Sequence, residues 1–295
     1  MPPSNNTTTE DAGNNAHDIK TMKLYNNVDR IKNELASRGM LNSDFIDPMA
    51  LSDIDSMHYC GNSVIEDAVE TMKVDSTSKI LDIGSGFGGT SRVLAVASKC
   101  NTIALELQPD IHEMAEYLTG RCNLSELVHH KVGDILTLDL NKLGDGLSSF
   151  DGVVSFLVFL HIAEKKLLLQ NCAKVLKPGG FLFIEDYYRR SSFSASEVES
   201  LSNDLFCNGN ELPTRDVYIS HLEASGFHNI NFIDKSSEWT TYVTERLEKF
   251  IANRENFENV HGERTYLSLL HFYKAVVALF TGQHLGGVRI VAEKH

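Results

Sequence analysis

The chain has no basic excess. Its 27 lysines and arginines stand against 40 aspartates and glutamates, a net charge of −13 over 295 residues. It therefore lacks the cationic surface that holds nucleic-acid phosphates or anionic membranes. It also lacks paired cysteines. Cys60, Cys100, Cys122, Cys172 and Cys207 are odd in number and scattered, with no CxxC pair, which excludes a disulfide framework and a thiolate zinc motif. The histidines show no metal-ligand spacing on a helix face, so no metal is expected. No apolar run approaches the ~20 residues of a membrane span. The first residues have neither the basic and apolar regions of a signal peptide nor the arginines of a transit peptide. The expectation is a cytoplasmic protein whose partner is a small molecule, with no nucleic acid and no membrane. Nothing in the sequence sets an oligomeric state, and no internal repeat occurs.

What is present is a globular composition: 42% of the residues are hydrophobic, enough for one large elaborated domain at this length. Residues 1–20 are rich in Asn, Thr and Asp and read as a disordered tail. Residues 21–57 hold a helical stretch around Leu24–Ile31 that ends near Gly39, a C′ residue. From residue 58 onward strands and helices alternate, which predicts an α/β fold with a doubly wound, mostly parallel sheet. Strands are expected near 79–83, 102–106, 127–132, 151–157, 181–186, 227–234 and 287–293. Pro109 suits the first turn of the helix after the second strand. The last two strands enclose a mainly helical insertion, 239–282.

The most informative stretch is Lys79-Ile80-Leu81-Asp82-Ile83-Gly84-Ser85-Gly86-Phe87-Gly88-Gly89-Thr90. An apolar strand runs into a glycine-rich turn and then a helix. Such a turn takes φ > 0 and lets a ligand approach the backbone, and the N–H groups at the helix start favour a polar or anionic ligand. Asp82 lies at the carboxyl end of the strand, where open parallel sheets bind ligands. Gly84, Gly86 and Gly89 also satisfy the dinucleotide pattern G-x-G-x-x-G, so the loop alone leaves two readings open. Three further features occur in order. The second strand ends in Glu106, 22 residues past Gly84, placed to accept from both hydroxyls of a ribose. The third ends in Gly133-Asp134, as an adenine-contacting turn does. Leu176-Lys177-Pro178-Gly179-Gly180 then precedes the strand Phe181–Ile184.

This ordered set resembles the class I S-adenosylmethionine-dependent methyltransferases, strongly over 58–190 and more loosely elsewhere. The resemblance implies a Rossmann-like seven-stranded sheet of order 3-2-1-4-5-7-6, with the last strand antiparallel, over a domain of 58–295. It implies S-adenosyl-L-methionine as cofactor. Asp82, Gly84, Ser85, Gly86 and Gly88 would lie at its amino-acid part, Glu106 and Leu107 at its ribose, Asp134 and Ile135 at its adenine, and Ser155 beside them. The insertion 239–282 would lie above the carboxyl ends of the strands as a lid.

The segment Val153-Val154-Ser155-Phe156-Leu157-Val158-Phe159-Leu160-His161 narrows the resemblance to the phosphoethanolamine and sarcosine/dimethylglycine N-methyltransferases, as do Asp186-Tyr187 after strand five, Glu223–Phe227, and Gly286-Gly287 before the last strand. In that group an acid four residues before the motif histidine contacts the substrate amine. Here that position is Leu157. Asp186, Glu185 or Asp55 is expected to supply a carboxylate instead, or else the acceptor is a neutral sulfur that suits a leucine. Leu157, Asp186 and Tyr187 are the candidate substrate contacts.

His161 has two readings. It positions or deprotonates the nucleophile, or it holds a backbone carbonyl at a helix start. His58 and Tyr59 either fold over the ligand, where an aromatic face would favour the sulfonium, or are a packing tyrosine and an exposed histidine. An anionic substrate end would want one of Arg189, Arg190, Arg215, Arg246, Arg264 or Arg289. Leu269, Phe272 and Val276 fall at i, i+3 and i+7 and read as the apolar stripe of a packed helix. The function expected is methyl transfer to nitrogen of a small polar metabolite. The alternatives are S-methylation of a small thiol or thioether acid, and a catalytically silent cofactor-binding module.

Overall fold

The computed structural model describes residues 28–295. Of the expected first helix, Leu24–Asn27 lie outside the described residues, as does the tail 1–20. Seven strands form one sheet: β1 (Lys79–Ile83), β2 (Asn101–Glu106), β3 (Val128–Val132), β4 (Phe150–Phe156), β5 (Leu176–Arg189), β6 (Phe227–Asp234) and β7 (Leu285–Lys294). Their order is β3-β2-β1-β4-β5-β7-β6. The first five run parallel, and β7 enters antiparallel to both β5 and β6. This is the doubly wound Rossmann-like sheet of the class I methyltransferases.

β5 is longer than the sequence suggests. At its start, Phe150 pairs with Leu176 while Gly152 pairs with Phe181, so Lys177–Gly180 form a bulge within the strand rather than a turn before it. At its end, β7 carries it on through Arg189, opposite Leu285. An antiparallel partner supplies hydrogen bonds beyond the point where the parallel neighbour β4 stops.

Alternation along the strands sends side chains to two apolar layers. Leu81, Ile83, Val153, Leu182 and Ile184 face one layer, with α6 (Lys165–Val175) and α8 (Arg215–Ala224) packed over it. Ile80, Val154 and Phe183 face the other, under α3 (Ser63–Met72) and α4 (Gly89–Ser98). At the edge by β2, α1 (Asp29–Ser37), α2 (Pro48–Asp55) and α5 (Pro109–Arg121) share a third cluster around Leu35, Leu51 and Ile111. Gly39 follows α1 at φ 69°, and its N–H bonds Ala36 O at 3.0 Å, while Pro109 opens α5.

The insertion between β6 and β7 is three helices: α9 (Ser236–Ala252), α10 (Arg254–His261) and α11 (Glu263–Thr281). Leu269, Phe272 and Val276 are buried along one stripe of α11. With α7 (Ala195–Leu205), this cap encloses an apolar cluster of its own, centred on fully buried Trp239. Gly287 is what admits the indole: a Cβ there would lie 2.1 Å from Trp239 Cε3.

A chain of buried polar contacts locks the elements behind the glycine turn. Arg92 of α4 pairs with Asp55 of α2, both shut off from solvent. Arg92 Nη1 donates to Thr119 Oγ1 at 3.0 Å, and the same hydroxyl shares a hydrogen bond with His130 Nε2 at 2.8 Å. Burial pushes the Asp55 carboxyl up to about 6 against the opposing pull of Arg92, so it is ionised at neutral pH. Removing the cation would strand a buried carboxylate, an effect of about 3–5 kcal/mol. Arg92→Met should therefore lower unfolding free energy by about that amount at pH 7.5. It should lower it by clearly less at pH 5, where Asp55 is protonated, and Asp55→Leu/Arg92→Met should recover much of the loss. Urea unfolding followed by circular dichroism at both pH values measures this; equal losses at the two would refute a charged pair.

Candidate active site

The carboxyl ends of β1, β2 and β4 open onto a cavity of about 610 Å³. The glycine turn forms its floor and is suspended from β2: Gly84 N and Ser85 N both donate to Leu105 O, at 2.8 and 3.1 Å. Gly84 sits at φ 72°, and a Cβ there would come within 2.4 Å of Val158 Cγ2. The turn thus passes too close to the segment after β4 for any side chain.

Glu106 does more than end β2. Its Oε2 accepts from Gly86 N and its Oε1 from Gln108 N, each at 2.9 Å. Each oxygen keeps a second lone pair, so the carboxylate can still accept from a ligand. Burial pushes its pKa up, and the backbone N–H groups of Gln108, Gly86 and Leu107 oppose that rise. Asp134 Oδ1 accepts from Leu136 N at 2.8 Å, closing the turn after β3. Gly84, Gly86, Glu106, Leu107, Asp134 and Ile135 all line the cavity.

The other expected cofactor residues stand behind this wall. Asp82 is buried and accepts from Ser91 Oγ at 2.6 Å. Burial drives it up to about 7, and the nearby Glu106 charge adds to the rise. Ser155 Oγ donates to Ile83 O at 2.9 Å. Gly88 caps α4 at φ 80°. Ser85 Oγ is buried with no protein partner among the described residues.

On the acceptor side, β4 ends in Leu157, whose φ of 56° lies in the left-handed region. Leucine is seldom found there; Asn, Asp and Gly tolerate it. His161 closes a 3₁₀ turn (Phe159–His161) and lines the cavity. Of its two expected readings, the structure shows the contact with a backbone carbonyl. Nδ1 lies 3.1 Å from Phe206 O, so this nitrogen carries the proton and donates, and Nε2 keeps its lone pair. Burial pushes His161 down to about 4, which keeps the ring neutral.

The far wall is one that the sequence reading did not identify: Val198 and Ser202 of α7, then Phe206, Cys207, Asn208, Gly209 and Glu211 in the loop that follows. The helix had a signal. Ser194 and Glu197 form a capping box, with Ser194 N donating to Glu197 Oε2 at 2.8 Å. The loop had Asn208-Gly209-Asn210. Neither marks proximity to His161, which is a contact across 45 residues.

Several expected substrate contacts do not reach the cavity, nor does any residue of α9, α10 or α11. Tyr59 is buried, bonds Tyr187 OH through its hydroxyl, and packs edge-on against Trp239 at 4.9 Å. His58 is buried rather than exposed, with Nδ1 3.2 Å from Tyr59 O. The physical reason is the cap. Its aromatic side chains enclose Tyr59 and Tyr187 behind Leu160 and Cys207, which belong both to that cluster and to the cavity wall. The replacement acids are also engaged: Asp186 accepts from Leu160 N at 3.0 Å and Tyr187 N at 2.6 Å. Glu185 pairs with Arg289, and Asp55 with Arg92. Arg246 stands over the rings of Tyr59, Tyr242 and Tyr273 at 4.9, 5.7 and 4.6 Å and has no carboxylate within ion-pairing distance among the described residues. There too, no group of His, Cys, Asp or Glu is placed to hold a metal ion, and no helix is long and apolar enough to cross a membrane.

The half-buried neutral histidines carry a pH signature. Burial depresses His161 to about 4 and His130 to about 3, from an ordinary 6.5. As pH falls below 6.5 the unfolded chain takes up these protons before the folded one does, so stability is lost on acidification. The raised carboxylates Asp55 and Asp82 act in the opposite sense over this range, so the test is a difference: from pH 7 to pH 4 the denaturation midpoint of wild type should fall relative to that of His161→Gln. An unchanged difference would mean that His161 is not held neutral.

Comparison with known proteins places this architecture. Residues 81–184 match the methyltransferase domain family. The chain is 25% identical over 215 residues to phosphoethanolamine N-methyltransferase 1 of Zea mays, covering 73% of this chain and 41% of that protein. It is 28% identical over 204 residues to the phosphoethanolamine N-methyltransferase of Plasmodium falciparum, covering 67% and 71%. It thus spans about two fifths of the length of the maize relative. In structure it is similar to Haemonchus contortus phosphoethanolamine N-methyltransferase 2 in complex with S-adenosyl-L-methionine, with a TM-score of 0.74 at 18% identity over 94% of this chain and 58% of that one. The glycine turn hung from β2, Glu106 across it and the sheet order agree with that result: residues 81–184 match the methyltransferase domain family, and the fold is the one seen in the Haemonchus contortus enzyme.

Proposed function

We propose that the protein transfers the methyl group of S-adenosylmethionine to the nitrogen of a small polar amine. The observation that carries this reading is the charge of the cavity. Glu106, Asp134, Glu164 and Glu211 line it, and among the described residues no lysine or arginine does, Lys165 lying buried behind Ile162. Such a wall suits a sulfonium and a cationic acceptor and disfavours an anionic one. The cofactor fits the residues present. Glu106 has lone pairs to spare for the ribose hydroxyls, Asp134 and Ile135 flank the adenine position, and the turn at Gly84–Gly86 admits the amino-acid part. Asp82 supports that turn from beneath rather than from the wall.

When bound, the cofactor supplies an electrophilic methyl group. The protein has to bring a nitrogen lone pair into line with it and exclude water, which accounts for most of the rate in such transfers. An ammonium must first lose a proton. His161 is placed to take it, because Phe206 O fixes the proton on Nδ1 and leaves the Nε2 lone pair open. The five free cysteines, four of them buried, suit a reducing cytoplasm.

Leu157 supports a second reading, methyl transfer to sulfur of a small thiol or thioether acid. A neutral sulfur needs no carboxylate beside it.

Two substitutions test these readings. Glu106→Ala removes the acceptor for the ribose hydroxyls and frees Gly86 N and Gln108 N. Charge-assisted bonds contribute roughly 1.5–3 kcal/mol, so S-adenosylmethionine affinity measured by calorimetry should fall at least about tenfold with the fold retained. Unchanged affinity would exclude Glu106 from the cofactor site. Leu157→Asp places an acid where the left-handed backbone tolerates it well. With an amine acceptor, kcat/KM should rise for amines and fall for a thioether acid. With a sulfur acceptor, the unpaired carboxylate should reduce native turnover by roughly a hundredfold. Parallel losses on both substrates would make Leu157 a packing residue.

A further inference from the structure

The amine reading leaves one gap. The end of β4 carries no acid, and the three carboxylates that sequence offered as replacements are taken up by backbone N–H groups or arginines. A small ammonium in this cavity still needs a counter-charge.

Beyond the cofactor residues, the wall carries two acids, Glu164 and Glu211. They differ in setting. Glu164 is the N-cap residue of α6, where the positive end of the helix offsets its charge. Glu211 lies in the loop between α7 and α8. Its N–H donates to Asn208 O at 2.9 Å, a tight turn that sets Glu211 on the same wall as Phe206 and Cys207. Its exposed carboxylate makes no ion pair within 4 Å and no side-chain hydrogen bond among the described residues; the cation acting on it is Lys165, whose buried ammonium is held by Ile162 O and interacts with Glu164 as well.

The neighbours reinforce the choice. The Cys207 thiol is pushed up to about 12 by burial and is neutral, and His161 is neutral as well. Phe206 adds an aromatic ring, which favours an alkylammonium. Its carbonyl is the acceptor that fixes His161. One short loop therefore presents an exposed carboxylate that no side chain hydrogen-bonds among the described residues, an aromatic residue and the group that orients His161.

We propose that Glu211 is the ammonium-binding carboxylate of the acceptor site, so that the counter-charge has moved from the end of β4 to the loop after α7. This deepens the amine reading and rests on it. Specificity for cationic acceptors would then depend on the α7–α8 loop.

The test is calorimetric binding of tetramethylammonium at low salt to the protein saturated with S-adenosylhomocysteine, whose neutral sulfur does not compete for the carboxylate. Wild type should bind it. Glu211→Gln should weaken binding about tenfold or more, Glu164→Gln less than twofold, with S-adenosylhomocysteine affinity unchanged in both. The difference should shrink as salt is raised. No binding to wild type, binding to Glu211→Gln within twofold of wild type, or an equal loss in Glu164→Gln would overturn the assignment. Amine turnover is assayed in parallel. If wild type methylates no amine yet binds the probe in a Glu211-dependent way, the reaction assigned to the protein fails while the ammonium subsite stands.

Discussion

The Glu106 carboxylate is the contact on which the site depends. A glycine turn is the most costly backbone to order, because glycine loses the most conformational freedom on folding. Here one buried anion ties the turn to its neighbouring strand through Gly86 N and directs the chain into α5 through Gln108 N. Because an ionised carboxylate is a strong acceptor, two backbone bonds offset its desolvation and still leave lone pairs for a ligand. The group that shapes the empty pocket is thus the group suited to hold a ribose in it.

A second layer of buried charge holds this arrangement from behind. The run Asp55–Arg92–Thr119–His130 joins α2, α4, α5 and β3, the elements that flank the glycine turn and the cofactor end of the cavity. Hydrophobic packing alone would allow these helices to slide over one another. A buried ion pair with directional hydrogen bonds permits fewer arrangements, since a mismatched one leaves charges unpaired in a low dielectric. The left-handed Leu157 belongs to the same logic on the other side. Strain of this sort persists where the surroundings over-determine the backbone, and Leu157 N is held by Glu185 O at 2.8 Å.

The parallel strands, the glycine turn and the acids ending β2 and β3 were legible because each is a local pattern: an apolar run, a turn residue, a charge at a fixed offset. β1 and β6 agree to the residue, and the others differ by small shifts at their ends or, in β5, by extension along β7. What was not legible is long-range. Whether Asp186 faces ligand or backbone depends on the 3₁₀ turn at Phe159–His161. Whether the cap covers the cavity depends on Trp239 seating on Gly287, which turns its aromatic face toward β5 and β7 and encloses Tyr59. The residues that wall the acceptor side come from a loop whose sequence reads as an ordinary polar turn.

The electrostatics of the cavity then bear on which acceptors it can serve. A wall whose charged residues are acidic raises the local concentration of cations, but it also stabilises an amine in its protonated form, which has no lone pair to donate. Attraction and reactivity therefore oppose each other at one atom. A neutral histidine with its tautomer fixed resolves the conflict if it lies on the same wall as the carboxylates: they bind the ammonium, and the imidazole accepts the proton. Under the proposed reaction His161 would take this part: Phe206 O leaves Nε2 as the open acceptor, while the desolvation that keeps the ring uncharged also weakens it as a base, so the acceptor's own ammonium must be made more acidic by the site. An exposed histidine in the same acidic surroundings would be driven toward protonation by the neighbouring carboxylates and could not play this part.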